Sequence, residues 1–221
     1  MIEALLCDID GTLLDSNELH SKAWEDTLAL IGIAPGLEPI RGQMGKGGDQ
    51  MIPVFVPWWQ SRYTEEPLKS YRKEIFRVDY LPQVKPFAKV REFIERVQQA
   101  GIKLSLASSA SKDEIQAYKK IAHIDDLIEE QTSSDDAKKT KPHPDIFLAA
   151  LTKLKVKPEN ALALGDTPYD AEAAGKAGVW TIGVMSGGWT EKELLGAGCV
   201  EVYKDVADLL GHFDQSALMR F

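Results

Sequence analysis

The chain has 221 residues, 44% hydrophobic and 27% charged, with a formal net charge of −8. That is room for one domain with an insertion or for one large α/β domain, and the acidic balance argues against nucleic acid or an anionic membrane as a partner. No apolar run approaches the ~18 residues of a membrane span, and the two cysteines, Cys7 and Cys199, form no metal-ligand pattern. Met1 to Asp8 has no basic segment and only a short apolar stretch, so no signal peptide is expected, and a reducing cytoplasm is the expected compartment.

Residues 2–8 read as a buried strand that runs into Asp8-Ile9-Asp10-Gly11-Thr12-Leu13. On extended backbone, residues i and i+2 point the same way, so Asp8 and Asp10 can face one pocket, and Gly11 permits a sharp turn. The same letters also suit an ordinary Asp-Gly turn after a strand. Leu19, Ala23, Trp24, Thr27, Leu28 and Ile31 then mark a helical face that Gly32 ends. Arg41 to Gly48 is irregular and Gly-rich. Met51 to Trp59 is apolar but interrupted by Pro53 and Pro57, with Phe55, Val56, Trp58 and Trp59 as expected core. Thr64-Glu65-Glu66-Pro67 reads as a helix start, with Tyr71, Ile75 and Val78 facing inward. Residues 16–84 are thus expected to form a helical, strandless block.

From Pro86 onward strands and helices alternate. A helical stripe at Phe87, Val90, Ile94 and Val97 precedes a strand over Ile102 to Ala107. Ser111 and Glu114 make a capping box. Phe147, Ala150, Leu151 and Leu154 mark a helix, Ala161 to Leu164 a strand ending in Gly165-Asp166, and Ala171 to Ala177 a helix. Val179 to Val184 reads as a strand, Thr190 and Glu193 as a cap, and Val200 to Tyr203 as an edge strand before the last helix. This alternation predicts an α/β fold: a doubly wound, mainly parallel, Rossmann-like sheet built from 1–15 and 85–221, with 16–84 as an inserted α-helical cap domain. Ligands in such sheets bind beyond the carboxyl ends of the strands, where Asp8 and Asp10, Ser108 and Ser109, and Asp166 to Asp170 would converge.

Asp8, Asp10, Asp166 and Asp170 together put four carboxylates at that rim. Two unit charges ~4 Å apart repel by about 4 kcal/mol at an effective dielectric near 20, so a cation is needed to keep them ionised. An all-oxygen donor set points to a hard divalent ion, Mg²⁺ ahead of Ca²⁺. Taken singly, Asp166 and Asp170 also read as a turn residue and a helix N-terminal acid. Lys141 would be drawn to the carboxylates and to a phosphate, or is one more solvated charge after Lys138 and Lys139. Ser108 can hold a phosphoryl oxygen, or Ser108 and Ser109 are plain loop residues.

In order, Asp8-Ile-Asp-Gly-Thr-Leu, Leu106-Ala-Ser-Ser, Lys141-Pro and Gly165-Asp-Thr-Pro-Tyr-Asp170 resemble the four motifs of the haloacid dehalogenase-like hydrolase superfamily, over the whole chain. The block at 16–84 resembles the small helical cap of its phosphoglycolate phosphatase and β-phosphoglucomutase-like members. The resemblance implies that Asp8 is a nucleophile forming an aspartyl-phosphate and that Asp10 is the acid, then the base. It implies that Ser108, Ser109 and Lys141 hold phosphoryl oxygens. Mg²⁺ would be bound by Asp8, the Asp10 carbonyl, Asp166 and Asp170. Relatives that cleave carbon–halogen bonds lack an acid where Asp10 stands, so hydrolysis of a small phosphorylated metabolite ranks first, phosphoglycolate phosphatase-like. The alternatives are a β-phosphoglucomutase-like isomerase, suggested by His20 four residues before Trp24, and a phosphate-ligand-binding regulator without turnover. Lys46-Gly47-Gly48 departs from the arginine of the mutases. Lys46 and Gly47 are expected at the rim as substrate contacts, or their loop is a plain connector; His20 either reaches the substrate or packs on Trp24.

Overall fold

Ala4–Cys7, four fully buried residues, form β1. Leu14–Asp15 (β2) follows, and the chain then enters α1 (Asn17–Ala29), α2 (Leu37–Arg41), α3 (Gly48–Phe55) and α4 (Trp58–Ile75). A π turn over Phe76–Tyr80 leads to Lys85–Pro86 (β3), which pairs antiparallel with β2. Strands and helices alternate thereafter: α5 (Val90–Gln99), β4 (Lys103–Ala107), α6 (Lys112–Ile121), β5 (Glu130–Thr132), α7 (Asp145–Leu154), β6 (Ala161–Gly165), α8 (Pro168–Lys176), β7 (Trp180–Val184), α9 (Glu191–Gly196) and β8 (Cys199–Tyr203). Two short helices, α10 (Val206–Gly211) and α11 (Ala217–Arg220), close the chain. This computed structural model describes residues 2–128 and 130–221, and at 61–64 the backbone alone. Among the described residues, no helix is long and apolar enough to cross a membrane.

The sheet has the order β5-β4-β1-β6-β7-β8, and every neighbouring pair is parallel. The fold is therefore the expected α/β, doubly wound one. The chain steps from β1 to β4 and β5 on one side and later to β6, β7 and β8 on the other. Their divergence leaves a crevice at the carboxyl ends beside β1. Register sets Cys7, the last residue of β1, opposite Leu106 and Leu164, each one residue short of its strand's end. Period-two alternation splits β1 between the two sides of the sheet. Leu5 and Cys7 join Phe93, Ile94, Ile115 and Tyr118 from α5 and α6 on one side. Ala4 and Leu6 meet Ile146, Phe147, Ala173 and Ala174 from α7 and α8 on the other. Within the insert, Trp24, Leu28, Ile40, Met44, Met51, Ile52, Val56 and Leu68 form a cluster of their own, while Ala23, Phe76 and Val84 join the core beside Leu5 and Cys7.

Several expectations for the insert are corrected. The helix expected to start at Thr64–Pro67 begins at Trp58 and runs through Pro67, whose ring faces solvent, where the carbonyl it leaves unbonded can tilt to water. Thr64's side chain lies outside the described residues. Tyr71 and Val78 are exposed rather than inward, and the buried positions are Leu68 and Phe76. Trp58 and Trp59 are not core: they are 74% and 61% exposed and meet edge to face, while Val56 fills the interior. Pro53 lies within α3 rather than ending it. Beyond the insert, Pro86 belongs to β3 and α5 starts after Lys89, while β5 falls where the sequence shows only a polar run.

Candidate active site

Four loops build the site. The first is the turn after β1, where Gly11 has φ +80°, a conformation that disfavours any side chain; a Cβ there would also lie 2.2 Å from both Asn17 Nδ2 and Asp166 Oδ2. Thr12, one residue on, donates its hydroxyl to Asp8 Oδ2 (3.2 Å) and Asp166 Oδ1 (3.0 Å), tying the first loop to the loop after β6. That second loop enters α8 through a capping box: the Thr167 hydroxyl accepts from the Asp170 amide, and Asp170 Oδ2 accepts from the Thr167 amide and hydroxyl. One Asp170 oxygen thus holds the helix start and the other faces the site. The third loop, before α7, buries Lys141 completely. Its Nζ lies 2.5 Å from Asp8 Oδ1 and 2.7 Å from Asp170 Oδ1. The fourth, after β4, places buried Ser108 at the cavity wall, its Oγ accepting from the Ala110 amide at 3.0 Å.

Carboxylate oxygens of Asp8, Asp166 and Asp170 lie within 4.8 Å of one another, all buried. Burial, with Asp170 and Asp10 nearby, pushes Asp8 up to about 7 despite the opposing Lys141 charge. Burial and then Asp8 and Asp170 push Asp166 well above the carboxylate range. Lys141 is desolvated as well, but Asp170 and Asp8 outweigh burial and hold it above the lysine range. One ammonium therefore faces three acids that are costly to ionise together. Asp170 Oδ1 is buried and, although close to Lys141, accepts no well-angled hydrogen bond. Hard oxygen donors, excess negative charge and a spare acceptor fit a hard divalent cation such as Mg²⁺.

Asp10 stands apart from that cluster. Its Oδ1 accepts from Ser16 Oγ at 2.6 Å and lies 2.8 Å from His20 Nε2. Burial would raise its pKa, but His20 beside it and hydrogen bonds from His20 and Ser16 hold it below the usual value. His20 stacks on Phe76, with ring centroids 3.9 Å apart. Behind it stand Arg72, whose Nη2 touches His20 Nδ1, and Tyr118, whose hydroxyl is 3.0 Å from His20 Nε2. Arg72 also donates to Glu114 Oε1 at 2.8 Å.

A cavity of about 350 Å³ opens between these loops and the insert. Lys46 and Gly47 line it. Lys46 donates to Gln43 Oε1 at 2.6 Å and sits 4.5 Å over the Tyr169 ring. The Gly47 amide donates to Thr140 Oγ1 at 3.0 Å, and Ser109 Oγ donates to the Gly45 carbonyl at 3.4 Å. Sequence reasoning missed Thr12, Asn17, Arg72, Glu114, Tyr118, Asp49 and Thr140. Only Arg72 left a trace: it lies one turn from both Leu68 and Phe76, a charge on an otherwise apolar stripe.

Residues 5–184 match the haloacid dehalogenase-like hydrolase family. The pyrophosphatase PpaX of Bacillus thuringiensis (strain Al Hakam) is 28% identical over 204 residues, 92% of this chain and 89% of its own. A hydrolase from Pseudomonas syringae superposes with a TM-score of 0.90 at 28% identity, covering 97% of this chain and 99% of that one. CbbY from Rhodobacter sphaeroides, solved in complex with phosphate, superposes with a TM-score of 0.78 at 27% identity, covering 95% of this chain and 96% of that one. With a family match across most of its length, and its acids gathered at the carboxyl edge of a parallel sheet, this chain belongs to the haloacid dehalogenase-like hydrolases.

Proposed function

We propose that the protein is a Mg²⁺-dependent phosphatase that hydrolyses the phosphomonoester of a small metabolite, by way of a phosphoryl group carried on Asp8. The observation that carries this reading is Lys141, fully buried and in contact with Asp170 and with Asp8, which together with Asp10 lines the cavity. Phosphoryl transfer asks a protein mainly for position and neutralised charge. Asp8 would attack phosphorus while Lys141 balances the charge on the transferred oxygens and Ser108 hydrogen-bonds them. Asp10, held by Ser16 and His20, would give a proton to the departing oxygen. It would then take one from the water that cleaves the acyl phosphate, restoring Asp8 and releasing inorganic phosphate. Asp8, Asp166, Asp170 and the Asp10 carbonyl would hold Mg²⁺, which when bound supplies positive charge against the phosphoryl oxygens.

Residues 16–84 would act as a cap over a catalytic core of 1–15 and 85–221. An apolar cluster of their own around Trp24 and Leu28 and the paired β2–β3 stem support that division. Substrate charge is suggested by the wall: Lys46, Lys69, Arg72, Lys73 and Lys138 line the cavity of a chain whose net charge is −8. A cytoplasmic setting accords with two free, buried cysteines, Cys7 and Cys199. Inorganic pyrophosphate is a second reading, favoured by that cationic wall and by the relatives named pyrophosphatase.

Inorganic phosphate release would be measured with phosphoglycolate, β-glucose 1-phosphate and pyrophosphate, with Mg²⁺ and with chelator, for wild type and Asp8→Asn. Mg²⁺-dependent release, at least about a thousandfold lower in Asp8→Asn, is expected. Isomerisation of β-glucose 1-phosphate without net release would establish a mutase instead, and phosphate-ligand binding without turnover a regulator.

A further inference from the structure

Asn17 is where the helical insert touches the carboxylate cluster. It is the first residue of α1, and neither it nor Ser16 caps that helix with a side chain. Its Nδ2 instead donates to Asp166 Oδ2 at 2.8 Å and lies 3.4 Å from the Gly187 carbonyl oxygen. Both neighbours are acceptors, so the amide nitrogen, not its oxygen, must face them. The surroundings are shaped for this contact. A Cβ on Gly11 would collide with the Asn17 amide, and one on Gly187 would sit 1.7 Å from Asp166 Oδ2. Ser186 Oγ donates to the Gly11 carbonyl at 2.6 Å and secures the turn between them.

Asp166 is thus gripped from two sides, Oδ1 by the Thr12 hydroxyl and Oδ2 by the Asn17 amide. Two fixed donors set the plane of the carboxylate while each oxygen keeps a lone pair for a cation. We infer that Asn17 is a positioning residue for the metal site: it orients Asp166, so the first turn of the insert sets how tightly the divalent ion is held. The inference rests on the Mg²⁺-dependent reading above. Outer partners of metal ligands typically change metal affinity by about 10- to 100-fold when removed.

The test is calorimetric titration of MgCl₂ into substrate-free wild type, Asn17→Ala and Asn17→Ser. Serine keeps a polar residue at the helix start but is too short to reach Asp166. In both variants the Mg²⁺ dissociation constant should rise by about tenfold, and the Mg²⁺ concentration for half-maximal phosphate release should rise by the same factor. The melting temperature in chelator should stay within about 2 °C of wild type. Equal Mg²⁺ affinity in all three proteins overturns the inference. So does a loss of affinity that merely follows an equal loss of metal-free stability. If wild type itself binds no Mg²⁺, the metal reading of the site fails and takes this inference with it. Normal wild-type binding with unchanged variants sinks the role of Asn17 alone.

Discussion

Lys141 has no access to solvent, yet it carries charge between two acids. Removing one partner of a buried ion pair typically costs about 3–5 kcal/mol, because the remaining charges lose their compensation. Lys141→Ala should therefore lower metal-free stability by about that much in chemical denaturation, beyond abolishing turnover. Asp8 adds a pH dependence. Burial raises it from 3.8 to about 7, so the folded chain holds its proton longer than the unfolded one does. Its contribution to stability is complete below 3.8 and is lost as pH rises through about 7. A bound divalent ion reverses the preference by favouring the ionised form. The gain in melting temperature on adding Mg²⁺ should be larger at about pH 8 than at about pH 5.5, and thermal scans at both values check it. These acids were legible in the sequence because strand ends and an Asp-x-Asp spacing fix where they go. Their holders were not, since Thr12 and Asn17 reach Asp166 across 154 and 149 residues of chain.

Among the elements, α4 departs furthest from expectation. Hydrophobic phase was assigned to Tyr71, Ile75 and Val78, but the inward row is Leu68, Arg72 and Phe76, with Ile75 partly buried beside it. A guanidinium that pairs with Glu114 and touches His20 sits where an apolar residue would have marked the face, so a charge on the inward row masked the period. Strands were easier to read: β1, β4, β6 and β7 are buried apolar runs, whereas β5, only Glu130–Thr132, borrows its identity from pairing with β4. The Gly-rich loop fastens to the core at several points. Tyr169 donates to the Gly42 carbonyl at 2.6 Å, and Thr140 accepts from the Gly47 amide while its hydroxyl and amide donate to Asp49. Thr140 immediately precedes Lys141, so the loop is anchored beside the buried cation. Thr140→Val removes the hydroxyl and keeps the shape. It should raise KM for the best substrate by about 3- to 10-fold, as expected for one or two lost hydrogen bonds, and expose the 42–49 segment to proteolysis.

At the scale of the molecule, the insert's interior is divided: the cluster around Trp24 and Leu28 stands apart from the sheet's core, while Ala23, Phe76 and Val84 join that core. Alternating strands and helices imply a parallel, doubly wound sheet, which is why that class is legible in the sequence, whereas the strand order is not. The insert has only helices, and their mutual packing has no such rule to fix it. Leu28, fully buried in the insert's core, makes the separation testable. Leu28→Ala should cost about 2–5 kcal/mol locally. Hydrogen exchange should show faster opening across α1 to α4 while β1, β4 and β6 keep wild-type protection; equal acceleration in both would mean one cooperative unit.

The β2–β3 stem has a consequence for descent. Leu14 pairs with Pro86 and Asp15 with Lys85, so the chain leaves the core and returns to it at neighbouring points. Whatever lies between can lengthen, shrink or be exchanged without shifting one register of the six-stranded sheet. Lineages built on this plan can therefore change what they admit while inheriting the sheet beneath it, so long as the first turns of α1, which hold Asp10 and Asp166, are kept.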